Sequence, residues 1–263
     1  MPPGSELVHL TVEAGIATIT LDSPANRNAL SAQLRAELLD TLQSTEEDAV
    51  VRVVVLTHTG PVFCSGMDLR ESRDADMKTQ GVKELPRILE AICTHPKPIV
   101  ARLAGPAWAG GVGMVAAADI AIAVEEATFA FPEVRIGIVP AVISVTVLPR
   151  LLPRATHELF LTGETFDARR AAAVGLLNAT VPAAELDAEV ARYTAMLTKG
   201  APEALALTKQ ILGRAPAPTM AEDFAAMLEI SASQFASDEG QEGIRAFAEK
   251  RPPSWLPTEG RPV

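Results

Sequence analysis

The chain has 263 residues, 48% of them hydrophobic and 21% charged, a balance that suits one large globular domain, or a domain with an appendage, and leaves ample core. Aromatic residues are only 4%, so that core must be built from Ala, Val, Leu and Ile. The formal net charge of −10 argues against a general binder of nucleic acid or of anionic membranes, but not against a local basic pocket for a phosphorylated ligand.

Residues 7–12 and 16–21 alternate apolar with small or polar side chains around Ala14-Gly15 and predict a hairpin. The spacing of Leu30, Leu34, Leu38 and Leu42 predicts a helix over 28–42, with Ser31 as its cap. The β-branched run 51–57 reads as a strand buried on both faces. A helix at 83–93, a strand at 98–103, a helix at 110–118 and a strand at 120–124 follow, then a short strand at 128–131 leading to Glu133. Beyond about residue 150 the texture is helical, at 155–161, 167–174, 185–198, 202–212, 221–235 and 239–250, interrupted by a strand-like stretch at 177–181. The tail from Pro252 onward is expected to be extended or frayed. The reading is α/β, an α/β core followed by a helical C-terminal part.

Compartment signals are few. Cys64 and Cys93 make no disulfide framework and fit a reducing cytoplasm. The opening Met1-Pro2-Pro3-Gly4 lacks the basic and apolar regions of a signal peptide. The longest apolar run, 112–124, is short, contains Asp119, and reads as core rather than a membrane span.

Two glycine turns and one carboxylate carry the chemistry. The turns are Phe63-Cys64-Ser65-Gly66-Met67-Asp68-Leu69 and Trp108-Ala109-Gly110-Gly111-Val112-Gly113; the carboxylate is Glu133 in Phe131-Pro132-Glu133. Glycine leaves backbone N–H groups uncovered. Two such groups converging from separate turns make an oxyanion hole, and a carboxylate beside it can move a proton at the carbon next to a polarised carbonyl. Asp119, between an apolar helix and a strand, reads as a structural cap. Cys64 has no base near it in sequence and reads as a small buried residue. The four histidines show no ligand spacing, so no metal is expected.

These turns, in order with Pro24-Ala25-Asn26-Arg27-Asn28-Ala29-Leu30, Lys97-Pro98-Ile99-Val100-Ala101, Gly137-Ile138-Val139-Pro140 and Leu161-Thr162-Gly163-Glu164, resemble the crotonase superfamily of enoyl-CoA hydratases and isomerases over nearly the whole chain. The resemblance implies a crotonase-like spiral of ββα units over 1–198, followed by a helical trimerisation region over 199–263, in a homotrimer or dimer of trimers. It assigns the oxyanion amides to Met67 and Gly110 and the acid/base role to Glu133, whose pKa a mainly apolar pocket would raise. It places the acyl-CoA substrate, whose coenzyme A is not a separate cofactor, along Arg27, Asn28, Ala29, Leu30, Cys64, Ser65, Asp68, Leu69, Arg70 and Gly111. By the same resemblance Trp108 and Val142 belong to the acyl pocket, Pro140 is a further substrate-binding residue, and Phe247 and Lys250 reach in from the C-terminal helices, of this chain or of a neighbouring subunit.

The chain departs from the best-known hydratase pattern. Those hydratases carry two glutamates facing one water, and the first aligns with Gly113. One carboxylate still suffices for hydration through a single water, and an isomerase needs only one. The segments 110–114 and 138–144 look most like the 3-methylglutaconyl-CoA hydratase-like branch. Hydratase is therefore the first reading, Δ3-Δ2-enoyl-CoA isomerase the second. From other classes come a non-catalytic acyl-CoA-binding protein and an NAD-dependent oxidoreductase, the latter because 111–116 fits G-x-G-x-x-A.

Overall fold

Ala14 and Gly15 both take left-handed backbone angles, φ 49° and 78°, the geometry of a tight hairpin turn. They join β1 (Val8–Glu13) to β2 (Ile16–Leu21) in an antiparallel pair. The computed structural model describes residues 5–71 and 75–256, so the expectations for the first four residues and for the tail from Pro257 lie outside the described residues.

The chain continues through α1 (Ala32–Glu47), β3 (Val53–His58), α2 (Ala75–Thr94), β4 (Ile99–Leu103), β5 (Ala107–Trp108), α3 (Gly110–Ala117), β6 (Ile120–Val124) and β7 (Thr128–Ala130). After these come α4 (Ala141–Val147), α5 (Pro153–Thr162), β8 (Phe166–Asp167), α6 (Ala168–Ala173), β9 (Ala179–Val181), α7 (Leu186–Leu197), α8 (Pro202–Gly213), α9 (Met220–Ala236) and α10 (Asp238–Glu249). The main sheet runs β1-β2-β3-β4-β6-β9, parallel from β2 onward. A small second sheet, β5-β7-β8, carries the segments that build the site. All six residues of β3 are buried, as a strand covered on both faces requires. This is the mixed α/β architecture with a helical C-terminal region that the sequence predicts.

Three local expectations are corrected. The helix predicted from residue 28 begins only at Ala32: Asn28 sits at φ 51°, its Oδ1 accepts the Ser23 amide at 2.7 Å, and its Nδ2 donates to the carbonyls of Thr59 and Val62 at 3.0 and 2.7 Å. Ser31 is the cap, its hydroxyl accepting the Leu34 amide at 3.3 Å. A helix not predicted, α4, forms from the β-branched run Ala141–Val147. The tail as far as Leu256 is fastened rather than frayed: Arg52 donates to the Trp255 carbonyl at 2.8 Å, and Trp255 Nε1 donates to the Lys199 carbonyl at 3.2 Å.

Candidate active site

The first glycine turn is laced to its surroundings by its backbone. Phe63 N donates to Pro106 O at 2.9 Å and Trp108 N to Cys64 O at 3.0 Å, which fixes the turn to β5. Ser65 N donates to Arg27 O at 3.1 Å and Leu30 N to Gly66 O at 2.8 Å, and Leu30 pairs with Met67 as a parallel bridge. Gly66 takes φ 88°, a conformation that side chains resist. Its own amide donates to Cys64 Sγ at 3.4 Å. The next amide, that of Met67, has no hydrogen-bond partner among the described residues.

The second turn presents a matching group. Ala109 holds φ 49° and ψ −121°, a sparsely populated geometry for a residue with a Cβ, and its carbonyl accepts the amides of Val112 and Gly113 at 2.9 and 3.2 Å. Gly110 follows as the first residue of α3, where an amide is free of intrahelical bonding and the helix dipole favours negative charge. It too lacks a partner among the described residues. A Cβ on Gly110 would stand 3.5 Å from Gly66 Cα, so the two turns are in van der Waals contact.

Glu133 completes the group. It lies in a 3₁₀ turn, Pro132–Ile136, closed by Gly137 at φ 77°. Its carbonyl accepts the amide of Ile138 at 3.0 Å. The residue is 7% exposed, and its Oε2 is buried with no partner among the described residues. Burial pushes its pKa above the ordinary glutamate range, partly opposed by a backbone hydrogen bond. Such a desolvated carboxyl group holds its proton more tightly than one in water, a shift in the direction that suits proton transfer. Met67, Gly110 and Glu133 line one cavity of about 540 Å³, whose other walls are Ser65, Leu69, Leu85, Ala109, Pro132 and residues 136–143.

The remaining predicted residues divide by position. Ser65, Leu69, Pro140 and Val142 line this cavity. A groove of about 270 Å³ beside it, sharing Ser65, Met67 and Leu69, is walled by Arg27, Ala29, Asp68 and Arg70, with Asn26 Nδ2 donating to Asp68 Oδ2 at 3.2 Å. Asn28, Leu30, Cys64 and Gly111 are not on either wall: all are buried and support it from behind. Burial pushes the Cys64 thiol up to about 12. A Cβ on Gly111 would meet Cys64 O at 2.4 Å, and one on Gly113 would meet Ile143 Cγ2 at 2.7 Å. These glycines serve close packing, which leaves no pyrophosphate cradle of the kind the G-x-G-x-x-A reading needs. Trp108 is partly buried on β5 and lines neither space. Phe247, 87% exposed, and Lys250, at the end of α10, also line neither space within this chain. Asp119 has the structural role expected of it, its Oδ2 accepting the Ile99 amide at 2.7 Å and Lys209 Nζ at 2.5 Å.

Sequence reasoning missed Leu85, Ala109, Ile136 and Ile143 as wall residues. Apart from its pairing with Gly110, Ala109 carries no chemical signal in sequence, and the apolar three are indistinguishable there from core.

Residues 11–258 match the sequence profile of a family described as enoyl-CoA hydratase/isomerase. A Thermus thermophilus protein provisionally named an enoyl-CoA hydratase is 37% identical over 250 residues, covering 92% of this chain and 98% of that one. Carnitinyl-CoA dehydratase of Escherichia coli O157:H7 is 34% identical over 262 residues, covering 95% and 98% of the two chains. Among solved structures, an enoyl-CoA hydratase of Mycobacterium smegmatis superposes with a TM-score of 0.89 at 30% identity, over 95% of this chain and 99% of the other.

Proposed function

Because this chain belongs to the enoyl-CoA hydratase/isomerase family, we propose that it is an enoyl-CoA hydratase that adds water across the 2,3 double bond of an acyl-CoA thioester. The observation that carries this reading is one cavity shared by the Met67 and Gly110 amides and the buried Glu133 Oε2, none of which has a hydrogen-bond partner among the described residues.

In this mechanism the thioester oxygen accepts from both amides, and those bonds strengthen as enolate charge develops, so they stabilise the transition state more than the bound substrate. Glu133 takes a proton from one water as its oxygen bonds to Cβ, then returns a proton to Cα. The groove walled by Arg27 and Arg70 suits the phosphates of coenzyme A, guanidinium being a fork donor to such oxygens. No cofactor beyond the coenzyme A of the substrate is required. Among the described residues, the cavity wall bears no cation and is mostly aliphatic, which supports a neutral acyl chain.

A second reading, Δ3-Δ2-enoyl-CoA isomerase, draws on a specific observation. The space beside Gly113, where a second carboxylate would arise, is filled by Ile143, and a single carboxylate is enough to shuttle a proton between Cα and Cγ. We further propose a homotrimer or dimer of trimers in the cytoplasm. Exposed Phe224, Leu228, Phe235 and Phe247 on α9 and α10 support association, and light scattering of the purified protein tests it.

The deciding assay mixes the protein with crotonyl-CoA and follows the absorbance of the conjugated thioester, with product mass. Loss of absorbance with a gain of one water supports hydration. Silence there, with absorbance gained from a 3-enoyl-CoA at constant mass, makes it an isomerase. Silence with both directs the assay to branched or carboxylated substrates such as 3-methylglutaconyl-CoA; silence with those as well, while acyl-CoA still binds, leaves a binding protein.

A further inference from the structure

Arg35 is a cation in the core. It is 2% exposed on the inner face of α1, and nothing in the mechanism above uses it. Its Nε donates to Glu84 Oε2 on α2 at 2.6 Å. Its Nη1 donates to the Leu30 carbonyl at 2.5 Å and stands 4.0 Å from Glu71 Oε2. Glu71 in turn accepts the Ala32 amide, at the start of α1, at 2.9 Å. One guanidinium thus joins the chain entering α1, the body of α2 and the loop leaving the first glycine turn. Burying a charge is costly unless its partners are well placed, and a leucine or methionine would pack this helix face without that cost.

Leu30 touches both halves of the oxyanion hole. Its amide donates to Gly66 O at 2.8 Å, within the bridge that pairs it with Met67. Its Cδ1 lies 3.2 Å from where a Cβ on Gly110 would stand, and Leu85, the residue after Glu84, lies 3.6 Å from the same point. We propose that Arg35 is a positioning residue for the hole: by holding the Leu30 carbonyl and Glu84 together it sets the spacing of the Met67 and Gly110 amides. The inference rests on the acyl-CoA reading of the site. A planar fork suits the task because it donates in two fixed directions at once, which an ammonium does less rigidly.

Three variants test this: Arg35→Lys, Arg35→Met, and the double variant Arg35→Met/Glu84→Leu. The double variant removes both charges of the close pair, a replacement often neutral for stability, and decides the matter should Arg35→Met not fold. The readouts are kcat and KM with the thioester substrate, Tm, and the absorption of bound cinnamoyl-CoA, whose conjugated carbonyl shifts to the red when amide donors polarise it. In Arg35→Met and in the double variant kcat falls by about tenfold to a hundredfold, as for a displaced oxyanion donor. KM moves by less than about threefold, the signature of an interaction made mainly in the transition state. The red shift shrinks in step, even where the double variant melts at the wild-type temperature, and Arg35→Lys falls between. Full kcat and full red shift in the double variant would overturn the proposal and leave Arg35 as a packing ion pair. Wild-type protein that binds cinnamoyl-CoA with no red shift would overturn the oxyanion reading itself, and this inference with it.

Discussion

Gly66 and Gly110 lie so close that a Cβ on Gly66 would come within 3.2 Å of the Gly110 amide nitrogen and 2.9 Å of Ala109 Cβ. Both turns are backbone at this point, so neither can yield by a side-chain rotation. Gly66→Ala must therefore spread the turns and also adopt φ 88°, a strain of roughly 1–2 kcal/mol for an L-residue. The expected result is a loss of kcat of about a hundredfold, comparable to removing one oxyanion donor, measured with the thioester substrate. Unchanged kcat would mean that the approach of these turns does not set the donors.

Ala109 gives the opposite test. Its φ of 49° and ψ of −121° cost about 1–3 kcal/mol, against about 0.5–1 kcal/mol of extra chain entropy for glycine. Ala109→Gly is expected to raise stability by about 1 kcal/mol with turnover kept, because the Gly110 amide remains. Denaturant titration beside an activity assay checks both halves.

Glu133→Gln keeps the shape of the side chain and removes its ability to take a proton. Turnover should fall by about a hundredfold to ten-thousandfold, with acyl-CoA binding retained. In the unmodified protein the acid limb of kcat/KM should have its midpoint above the ordinary glutamate value of 4.5, because burial holds the folded-state pKa up. A limb at or below that value would contradict the desolvated site.

The same burial has a sign for stability. The folded state binds the Glu133 proton more tightly than the unfolded chain does. Its contribution is therefore present at pH below the unfolded value and is lost as pH rises through the folded value. Above the folded value the ionised group opposes folding, so Glu133→Gln should melt higher than the parent there. The gain should vanish below pH about 4, where both states of the parent are protonated. Melting curves of the pair across this range decide it.

The elements were legible where one periodicity ran unopposed. β3 is a β-branched run and is buried throughout; α1 follows Leu34, Leu38 and Leu42 from its Ser31 cap. The helical pattern around Leu30 misled because the Asn28 side chain captures the backbone and turns it at positive φ, a local bond that competes with the helix. Ala141–Val147 has strand-like composition, yet it is helical and packed on α3 by Ile143, a case of packing overriding propensity. In the site, the glycine turns and Glu133 stood out because their chemistry is unusual. Leu85 and Ile136 did not, since an apolar wall residue and an apolar core residue look alike in sequence. The tail was misjudged because the bond from Arg52 to Trp255 spans 203 positions.

Gly113 packs with its α-hydrogens against Ile143, and a Cβ there would fall 2.7 Å from Ile143 Cγ2. Gly113→Ala should cost about 1–3 kcal/mol by overpacking, and Ile143→Val/Gly113→Ala should cost no less, because valine lacks only Cδ1 and keeps the methyl and Cβ that the new side chain would meet. Ile143→Ala/Gly113→Ala should cost less than the sum of its two single changes, since the cavity left by one takes the methyl of the other, read by denaturant titration.

That contact also constrains descent. A lineage passing from this arrangement to one with a glutamate at position 113 meets a folding defect if the glycine changes first. It meets only a cavity if Ile143 shrinks first. The two positions are therefore coupled: in this packing a side chain at position 113 fits only where residue 143 is smaller than isoleucine.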